Sequence, residues 1–533
     1  MLTPAADYRT MCRDFRWDIP EHFNIATAVC DRWADGTGRL ALIEQRAAAG
    51  VTYYSFDDLK RDSNRLANLL HAEGVRAGHR VAILLGQRVE TLLAHLAAWK
   101  IGAITVPLFS LFGPEALAFR LADSGACALI TDPAGVERIG GIRDALPALK
   151  LVLSTEPATA GAVTLAPEME RASDTYEVQS TPAGAPAIII YTSGTTGPPK
   201  GALHAHRVLL GHLPGVQWPH DFFPKPGDRF WTPADWAWIG GLFDVLMPSL
   251  YFGVPVVASR TGKFEADAAI DLMIRHEVRN AFMPPTALRL LRQAETGAVG
   301  LDLRSLASGG EKLGDDVIEW GRSTFGLTIN EFYGQTEANL LVGNNAAVMP
   351  TKSGSMGRSV PGHEVAIIAD DGQVCGPGLP GVIAVRRPDP VMFLGYWNND
   401  AATAAKFRGD WMLTGDLGVA DEEGYITYRG RADDIINSAG YRIGPAEIEE
   451  CLSGHPAVAL AAVIGVPDSL RGEVVKACIV LRGGNVPSDD LAEEIRGFVK
   501  ARLAAHEYPR QIEFLDALPL TATGKVMRRA LRD

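Results

Sequence analysis

Tyr191-Thr192-Ser193-Gly194-Thr195-Thr196-Gly197-Pro198-Pro199-Lys200-Gly201 is a short run of hydroxyls and glycines that ends in a lysine and a glycine. The apolar run Ala187-Ile188-Ile189-Ile190 leads into it and reads as a buried strand. A glycine-broken loop at a strand end, with free N–H groups, several hydroxyl donors and one ammonium, suits a polyphosphate. The common P-loop places four residues between its first glycine and Gly-Lys, followed by Ser or Thr. Here the lysine follows two prolines and precedes glycine, so the run predicts a different way of holding ATP.

The surroundings of this loop predict the fold class. Ser55 to Glu73 carries Leu59, Leu66, Leu69 and Leu70 at helical spacing, with Ser55 as N-cap. Arg80 to Leu85 reads as a strand, Val89 to Trp99 as a helix, and Ile104 to Leu108 and Cys127 to Thr131 as strands. Such alternation predicts α/β layers with largely parallel strands. Thr155 to Pro186, rich in Ala, Pro, Thr and Glu, reads as a connector. Gly354 to Tyr428 carries short β-type runs and predicts a β-rich subdomain. Near Gly430-Arg431-Ala432-Asp433-Asp434 a boundary is expected. Beyond it come a helix (Pro445 to Ser453), strands (Ala461 to Val466, Val474 to Leu481), a helix (Ser488 to Ala504) and a strand (Gln511 to Leu515). The expected organisation is an N-terminal domain over 1–430, with a β-rich part at about 354–430, and a small α+β domain over 431–533.

Composition excludes several classes. The 533 residues are 47% hydrophobic and 21% charged with a net charge of −12, an ordinary globular balance and a poor one for nucleic acid. Six scattered cysteines without a CxxC pair fit reduced thiols rather than a disulfide framework or zinc site. The N-terminus lacks a signal h-region. The most apolar window, Gly240 to Ala258, is broken by Asp244, Pro248 and Pro255, so no membrane insertion and a cytoplasmic location are expected.

Four further segments carry chemistry. In Glu331-Phe332-Tyr333-Gly334-Gln335-Thr336-Glu337, Tyr333 offers a face to a purine, Thr336 a hydroxyl to phosphate, and Glu337 a hard oxygen to magnesium; a capped strand end explains the same run equally well. In Thr414-Gly415-Asp416, a carboxylate after glycine suits the hydroxyls of a ribose, and also a plain turn. The stretch Tyr428 to Glu449 sets arginines, an acidic pair and a glycine turn at the boundary, where a charged linker is the simpler reading. Pro519-Leu520-Thr521-Ala522-Thr523-Gly524-Lys525 places a lysine on a Thr/Gly loop, which taken by itself reads as a surface lysine.

In this order and combination, from about Trp33 to Arg529, the five segments resemble the adenylate-forming (AMP-forming) acyl-CoA synthetase superfamily, most of all its acetyl-CoA and medium-chain members. The resemblance implies a ligase that joins a carboxylic acid to AMP and then passes the acyl group to CoA, with ATP, CoA and Mg²⁺. It implies that Thr192 to Lys200 hold the β- and γ-phosphates, that Gly309, Gly310, Glu311 and Tyr333 frame the adenine, that Glu331, Phe332, Gly334, Gln335 and Arg442 also belong to the ATP/AMP site, and that Asp416 and Arg431 bind the ribose. Thr336, Glu337 and Lys525 would be catalytic, with Glu337 on the metal and Lys525 between substrate carboxylate and α-phosphate. Asp433 would be the hinge of a mobile C-terminal domain. Ala439, Gly440 and Tyr441 would meet CoA, with Ala439 standing where relatives commonly carry serine; Arg442 and Arg471 would meet CoA or phosphate charge. His455 matches a main-chain cation ligand. Lys525 also matches a site of lysine acylation, which implies an acetyltransferase as partner, and a homo-oligomer is compatible. Trp238, Ile239, Gly240 and Gly334 would line the acyl pocket. Gly334 stands where acetate-restricted relatives carry tryptophan, which implies an acid larger than acetate: medium-chain, branched or aromatic. The alternatives are an aryl-acid or carrier-loading adenylating enzyme, a kinase and a silent nucleotide-binding regulator. No carrier segment follows Asp533, which disfavours a modular enzyme.

Overall fold

The computed structural model describes the chain except residues 6, 47–49, 158–160, 193–197, 260–263, 295–299, 435, 439–440, 469–470, 504–507, 521–525 and 533. It divides into two compact units, Met1–Val365 with Val385–Met412, and Ala366–Ala384 with Leu413–Asp533.

The first unit is built on two sheets. An eight-stranded sheet runs Gly395–Tyr396, Lys200–Ala205, Pro186–Thr192, Ile104–Pro107, Arg80–Leu84, Ala128–Thr131, Leu151–Ser154, Val163–Thr164. From Pro186–Thr192 to Val163–Thr164 its neighbours pair parallel, as the alternation of strands and helices requires. A nine-stranded sheet runs Arg358–Ser359, Ala338–Gly343, Asn330–Gln335, Ser305–Gly309, Asn280–Phe282, Phe230–Trp231, Val256–Ser259, Leu40–Arg46, Gly50–Ser55.

Period-two alternation explains how the sheets share a core. Val81 and Ile83 face one apolar cluster while Ala82 and Leu84 face another; Ile188 and Ile190 divide from Ile189 in the same way. In the second sheet Val256 and Ala258 divide from Val257. The first cluster in each case is common to both sheets. Into it pack the helices Phe56–Ala72 and Val89–Ile101, the latter buried along its length and bringing in Trp99, whose indole N–H donates to Ala187 O at 2.8 Å. Each fully buried large side chain there contributes roughly 1.5–3 kcal/mol. Ser55 caps the helix Phe56–Ala72 in a capping box with Asp58, as its sequence predicts.

The stretch read as a connector holds a short strand, Val163–Thr164, and a helix, Leu165–Arg171, packed against Phe56–Ala72. Leu165 is the residue that the composition hid: it is buried in the shared core. The segment after Gly354 is spread over three sheets, because Arg358–Ser359 extends the nine-stranded sheet and Gly395–Tyr396 the eight-stranded one.

The second unit also has two sheets. One contains Val365–Ile368, Pro380–Arg386 and Trp411–Ala420, with Ile426–Arg431 paired to the last. The other runs Tyr441–Ile443, Ile436–Ser438, Gly472–Leu481, Val458–Asp468, with Gln511–Phe514 parallel to Gly472–Leu481. Helices Pro445–Ser453 and Asp489–Lys500 contribute Ile448, Leu452, Ile495 and Val499 to its core beside Val463 and Ile479. Among the described residues no helix is long and apolar enough to cross a membrane.

Candidate active site

The hydroxyl-rich loop is the tip of an antiparallel hairpin. Thr192 pairs with Lys200 at its base and Tyr191 with Gly201, and the Thr192 hydroxyl donates to Lys200 O at 3.4 Å. Residues 193–197 lie outside the described residues, while Pro198 and Pro199 lead into the returning strand. Gly201 admits the crossing: a Cβ there would lie 2.6 Å from Ile189 Cγ2.

Beside this hairpin lies the end of Asn330–Gln335. The Lys200 ammonium sits 5.3 Å from the Tyr396 ring centroid. The Tyr396 hydroxyl donates to Glu337 Oε1 in a short hydrogen bond, and Phe393 N donates to Glu337 O at 2.8 Å. The strand Gly395–Tyr396 thus brings a cation and a buried carboxylate to one aromatic ring. Lys406 Nζ donates to Gln335 Oε1 at 3.1 Å. The ring of His204, on the returning strand, approaches the Thr336 backbone, and burial pushes its pKa down to about 4. Tyr396 and Lys406 escaped the sequence reading; Gly395-Tyr396-Trp397-Asn398-Asn399, an aromatic pair bounded by turn residues, was the signal available.

Glu337 is a hard oxygen donor, and among the described residues no group of three or more His, Cys, Asp or Glu side chains is placed to hold a metal. One carboxylate completed by phosphate oxygens is how Mg²⁺ is commonly held, so the donor set fits that ion.

Gly309 pairs in parallel register with Phe332, and a Cβ on it would lie 2.6 Å from the Phe332 ring, so glycine is required for the approach. Gly310 follows at φ +93° with open space beside it. Glu311 Oε2 accepts from Thr286 Oγ1 at 3.0 Å and Arg289 Nη2 at 3.2 Å. Tyr333 is 9% exposed, so most of its ring is packed inside. Glu331 is buried, accepts from Leu313 N at 3.3 Å, and burial pushes its pKa up to about 8.

Trp238 packs on Phe109 and Phe112, at 5.4 and 6.2 Å between centroids, and Ile239 packs on the shared core. Gly240 opens a π-helical turn, Gly240–Leu246, and a Cβ there would lie 3.1 Å from the Phe282 ring. Beside Gly334 the space is occupied: a Cβ would lie 2.4 Å from Leu340 N and 2.5 Å from Asn339 Oδ1.

In the second unit Asp416 and Arg431 are cross-strand partners, with Arg431 Nη1 3.6 Å from Asp416 Oδ1. Gly415, at φ +82°, turns the carboxylate into place, and Asp416 N donates to Thr414 Oγ1 at 3.1 Å. Two arginines beyond the sequence reading tie the tail to this region. Arg528 binds both Glu449 oxygens at 2.8 Å and Asp434 at 3.0 Å, and Arg532 lies 3.7 Å from Asp434. Lys525 falls in 521–525, outside the described residues, as do Ala439 and Gly440. Leu520 and Val526 flank the lysine's loop as a bridge pair, and Met527 N donates to Pro519 O at 2.8 Å. Asp433 lies in a helical turn, Ala432–Asp434; Tyr441 pairs with Ser438 and Arg442 with Asn437. Arg471 N donates to Asp468 Oδ1 at 2.9 Å. His455 is buried against Phe498, and its carbonyl accepts from Val458 N at 3.0 Å.

A two-sheet α/β body with a hydroxyl-rich hairpin loop, a lysine at its foot and a buried glutamate alongside defines a nucleotide-activating enzyme. The chain belongs to the AMP-binding enzyme family: that family's model matches residues 30–397, and the model of the AMP-binding enzyme C-terminal domain matches residues 447–525. It is thereby an AMP-forming acid–thiol ligase, in a family that uses ATP and CoA. It is 37% identical to an acetyl-coenzyme A synthetase of Bacillus subtilis (strain 168) over 96% of this chain and 90% of that protein. It is 35% identical to the mitochondrial acyl-coenzyme A synthetase ACSM2B of Homo sapiens, over 97% and 91%. Among solved structures it resembles the anthranilate CoA ligase AuaEII in complex with anthranoyl-AMP, at 28% identity, 96% and 97% coverage and a TM-score of 0.86.

Proposed function

We propose that the chain activates a carboxylic acid larger than acetate, medium-chain, branched or aromatic, as its adenylate and transfers the acyl group to CoA. The observation that carries the reading is the Lys200–Tyr396–Glu337 arrangement at the foot of the hydroxyl-rich hairpin. Thr192 to Lys200 bind the β- and γ-phosphates through N–H groups, hydroxyls and the ammonium. Thr336 meets the α-phosphate. Glu337 would hold Mg²⁺, which supplies charge neutralisation at the phosphates when bound. Gly310 leaves room for adenine beside Tyr333, with Gly309 closing on Phe332, and Asp416 with Arg431 takes the ribose. Lys525 offsets the repulsion between substrate carboxylate and α-phosphate, where a fixed cation in a water-poor site is most effective. The domain beginning at 431 turns about Asp433 between the half-reactions, after which Gly440, Tyr441, Arg442 and Arg471 meet CoA. Acylation of Lys525 would cancel its charge and stop the first step.

The size of the acid is supported by glycine at 240 and by relatives named as acyl- and aryl-CoA ligases; the place beside Gly334 is filled by Asn339 and Leu340 and adds no room. Pyrophosphate release across a panel of acids, with and without CoA, tests the function. Release that needs an acid, thioester that needs CoA, and butyrate to octanoate or benzoate outpacing acetate are the expected results. Acetate turned over as well as butyrate overturns the size assignment; ADP as product overturns the ligase.

A further inference from the structure

The hairpin that ends in the phosphate loop is tied to the end of the helix Pro114–Ser124. A helix leaves its last carbonyls without intrahelical donors. Here side chains remote in sequence supply them. Asp123 O accepts from Trp397 Nε1 at 3.1 Å and from Asn398 Nδ2 at 3.2 Å, and Ser124 O accepts from Arg80 Nε at 2.7 Å. The Arg80 guanidinium lies 5.4 Å from the Trp397 ring centroid. The Asp123 side chain reaches the leading strand: its Oδ2 accepts from the Tyr191 hydroxyl at 2.6 Å. Tyr191 is 3% exposed, and Phe119 meets its ring edge-on at 6.4 Å between centroids. Gly201, its register partner, leaves space for that ring, since a Cβ there would lie 3.3 Å from it. Trp397 joins the two arms, because its backbone N–H donates to Gly201 O at 2.7 Å. Asp123 thus touches one strand of the hairpin through Tyr191 and reaches the other through Trp397.

We infer that Asp123 is a positioning residue for ATP: with Tyr191 and Trp397 it sets the two strands that carry Thr192 and Lys200. The inference rests on the reading of this hairpin as the phosphate grip. Tyr191 and Gly201 are the register pair next to Thr192 and Lys200, so an error in their setting passes directly to the lysine. Period-two alternation turns the Tyr191 ring to one face of the strand and the Thr192 side chain to the other, so the anchor leaves the Thr192 face clear. Packing alone does not call for this pair. A phenylalanine at 191 would bury the same ring, and apolar contact has no preferred direction. A hydrogen bond to a carboxylate has one, and it is stronger than a neutral bond. Burial, with Asp123 alongside, pushes the Tyr191 phenol up, so the hydroxyl keeps its proton and stays the donor. Direction matters at such a site, because a misplacement of about 1 Å can cost on the order of 10²-fold in rate.

The test measures the Kd of the full chain for Mg·ATP by calorimetry and times each half-reaction separately. Tyr191→Phe and Asp123→Ala should each weaken Mg·ATP by about tenfold, the loss of one hydrogen bond to a charged group. Trp397→Phe, which removes the indole donor to Asp123 O, should weaken it less, as a neutral bond is lost. Supplied acyl-AMP should still react with CoA at the unaltered rate, which a general loss of folded enzyme would not allow. Asp123→Asn, which keeps an oxygen for the Tyr191 hydroxyl, should recover most of the affinity. Tyr191→Phe combined with Asp123→Ala should be no weaker than either alone, since both break one contact. An unchanged Kd in Tyr191→Phe overturns the inference. So does an Asp123→Asn no tighter than Asp123→Ala, a sum of losses in the double variant, or equal loss in both half-reactions. Should Asp123→Ala fail to fold, Tyr191→Phe, which removes a single oxygen, carries the test. An unaltered enzyme that binds Mg·ATP yet releases no pyrophosphate with any acid sinks the ligase reading alone, because the Kd comparison stands without turnover; one that binds no Mg·ATP sinks both.

Discussion

Two loops of the molecule each carry a lysine, and their bases are held differently. The loop ending at Lys200 closes on a hairpin inside an eight-stranded sheet, with a further strand, Gly395–Tyr396, on its outer side. The loop that contains Lys525 is flanked by the bridge Leu520–Val526 and by Met527 N donating to Pro519 O, and the chain after it is secured by the ion pairs of Arg528. Lys200 is part of a sheet; the chain that follows the second loop is held by side-chain charge. Backbone pairing suits a lysine that grips phosphate throughout the reaction. Side-chain anchoring suits one required at a single step.

Lys525→Ala should sharpen the contrast most. Adenylation should fall by about 10²–10³-fold, the usual loss when a preorganised charge-stabilising donor is removed, while supplied acyl-AMP still reacts with CoA. Equal loss in both half-reactions, measured separately, would refute the role. Lys200→Ala removes a charged contact worth about 1.5–3 kcal/mol and should weaken ATP by about 10–100-fold in KM in the same assays; a change in CoA affinity instead would erase the distinction between the loops. Arg528→Ala leaves Glu449 and Asp434 without their common partner and should destabilise the second unit by about 2 kcal/mol in denaturant unfolding, with the first unit unaffected. Tyr396→Phe deletes the hydroxyl on Glu337 and should cost about 1 kcal/mol, read as a several-fold change in the magnesium dependence of adenylation.

The smallest effect lies in pH. The pKa of Glu331 is raised from 4.5 to about 8 by burial, so the folded state holds its proton where the unfolded chain has lost it. The stability it contributes is complete below pH ~4.5 and is lost as pH rises toward ~8. Glu331→Gln should therefore flatten the fall in Tm between pH 5 and 8; an unchanged slope would assign the fall to other groups.

Much of this was legible from local pattern. Ser55 announces a helix because its side chain caps the backbone three residues on, a purely local act. The isoleucines before Tyr191 announce a strand buried on both faces. Tyr396, Lys406 and Arg528 were illegible because each acts far from its partner in sequence: Tyr396 meets Glu337 across 59 residues and Arg528 meets Asp434 across 94. No periodicity encodes such pairs. The hairpin at Lys200 was half legible: the leading strand is apolar, but the returning strand, with a lysine, a glycine and a histidine, has no strand signature of its own and is recruited by pairing.

At Gly334 the neighbour that fills the vacant place is main chain, the amide of Leu340, wedged also against Gly215. The shape of the molecule beside Gly334 is therefore a property of a hairpin's path rather than of one side chain. A tryptophan placed at 334 would collide with backbone unless the turn from Gln335 to Leu341 were changed with it.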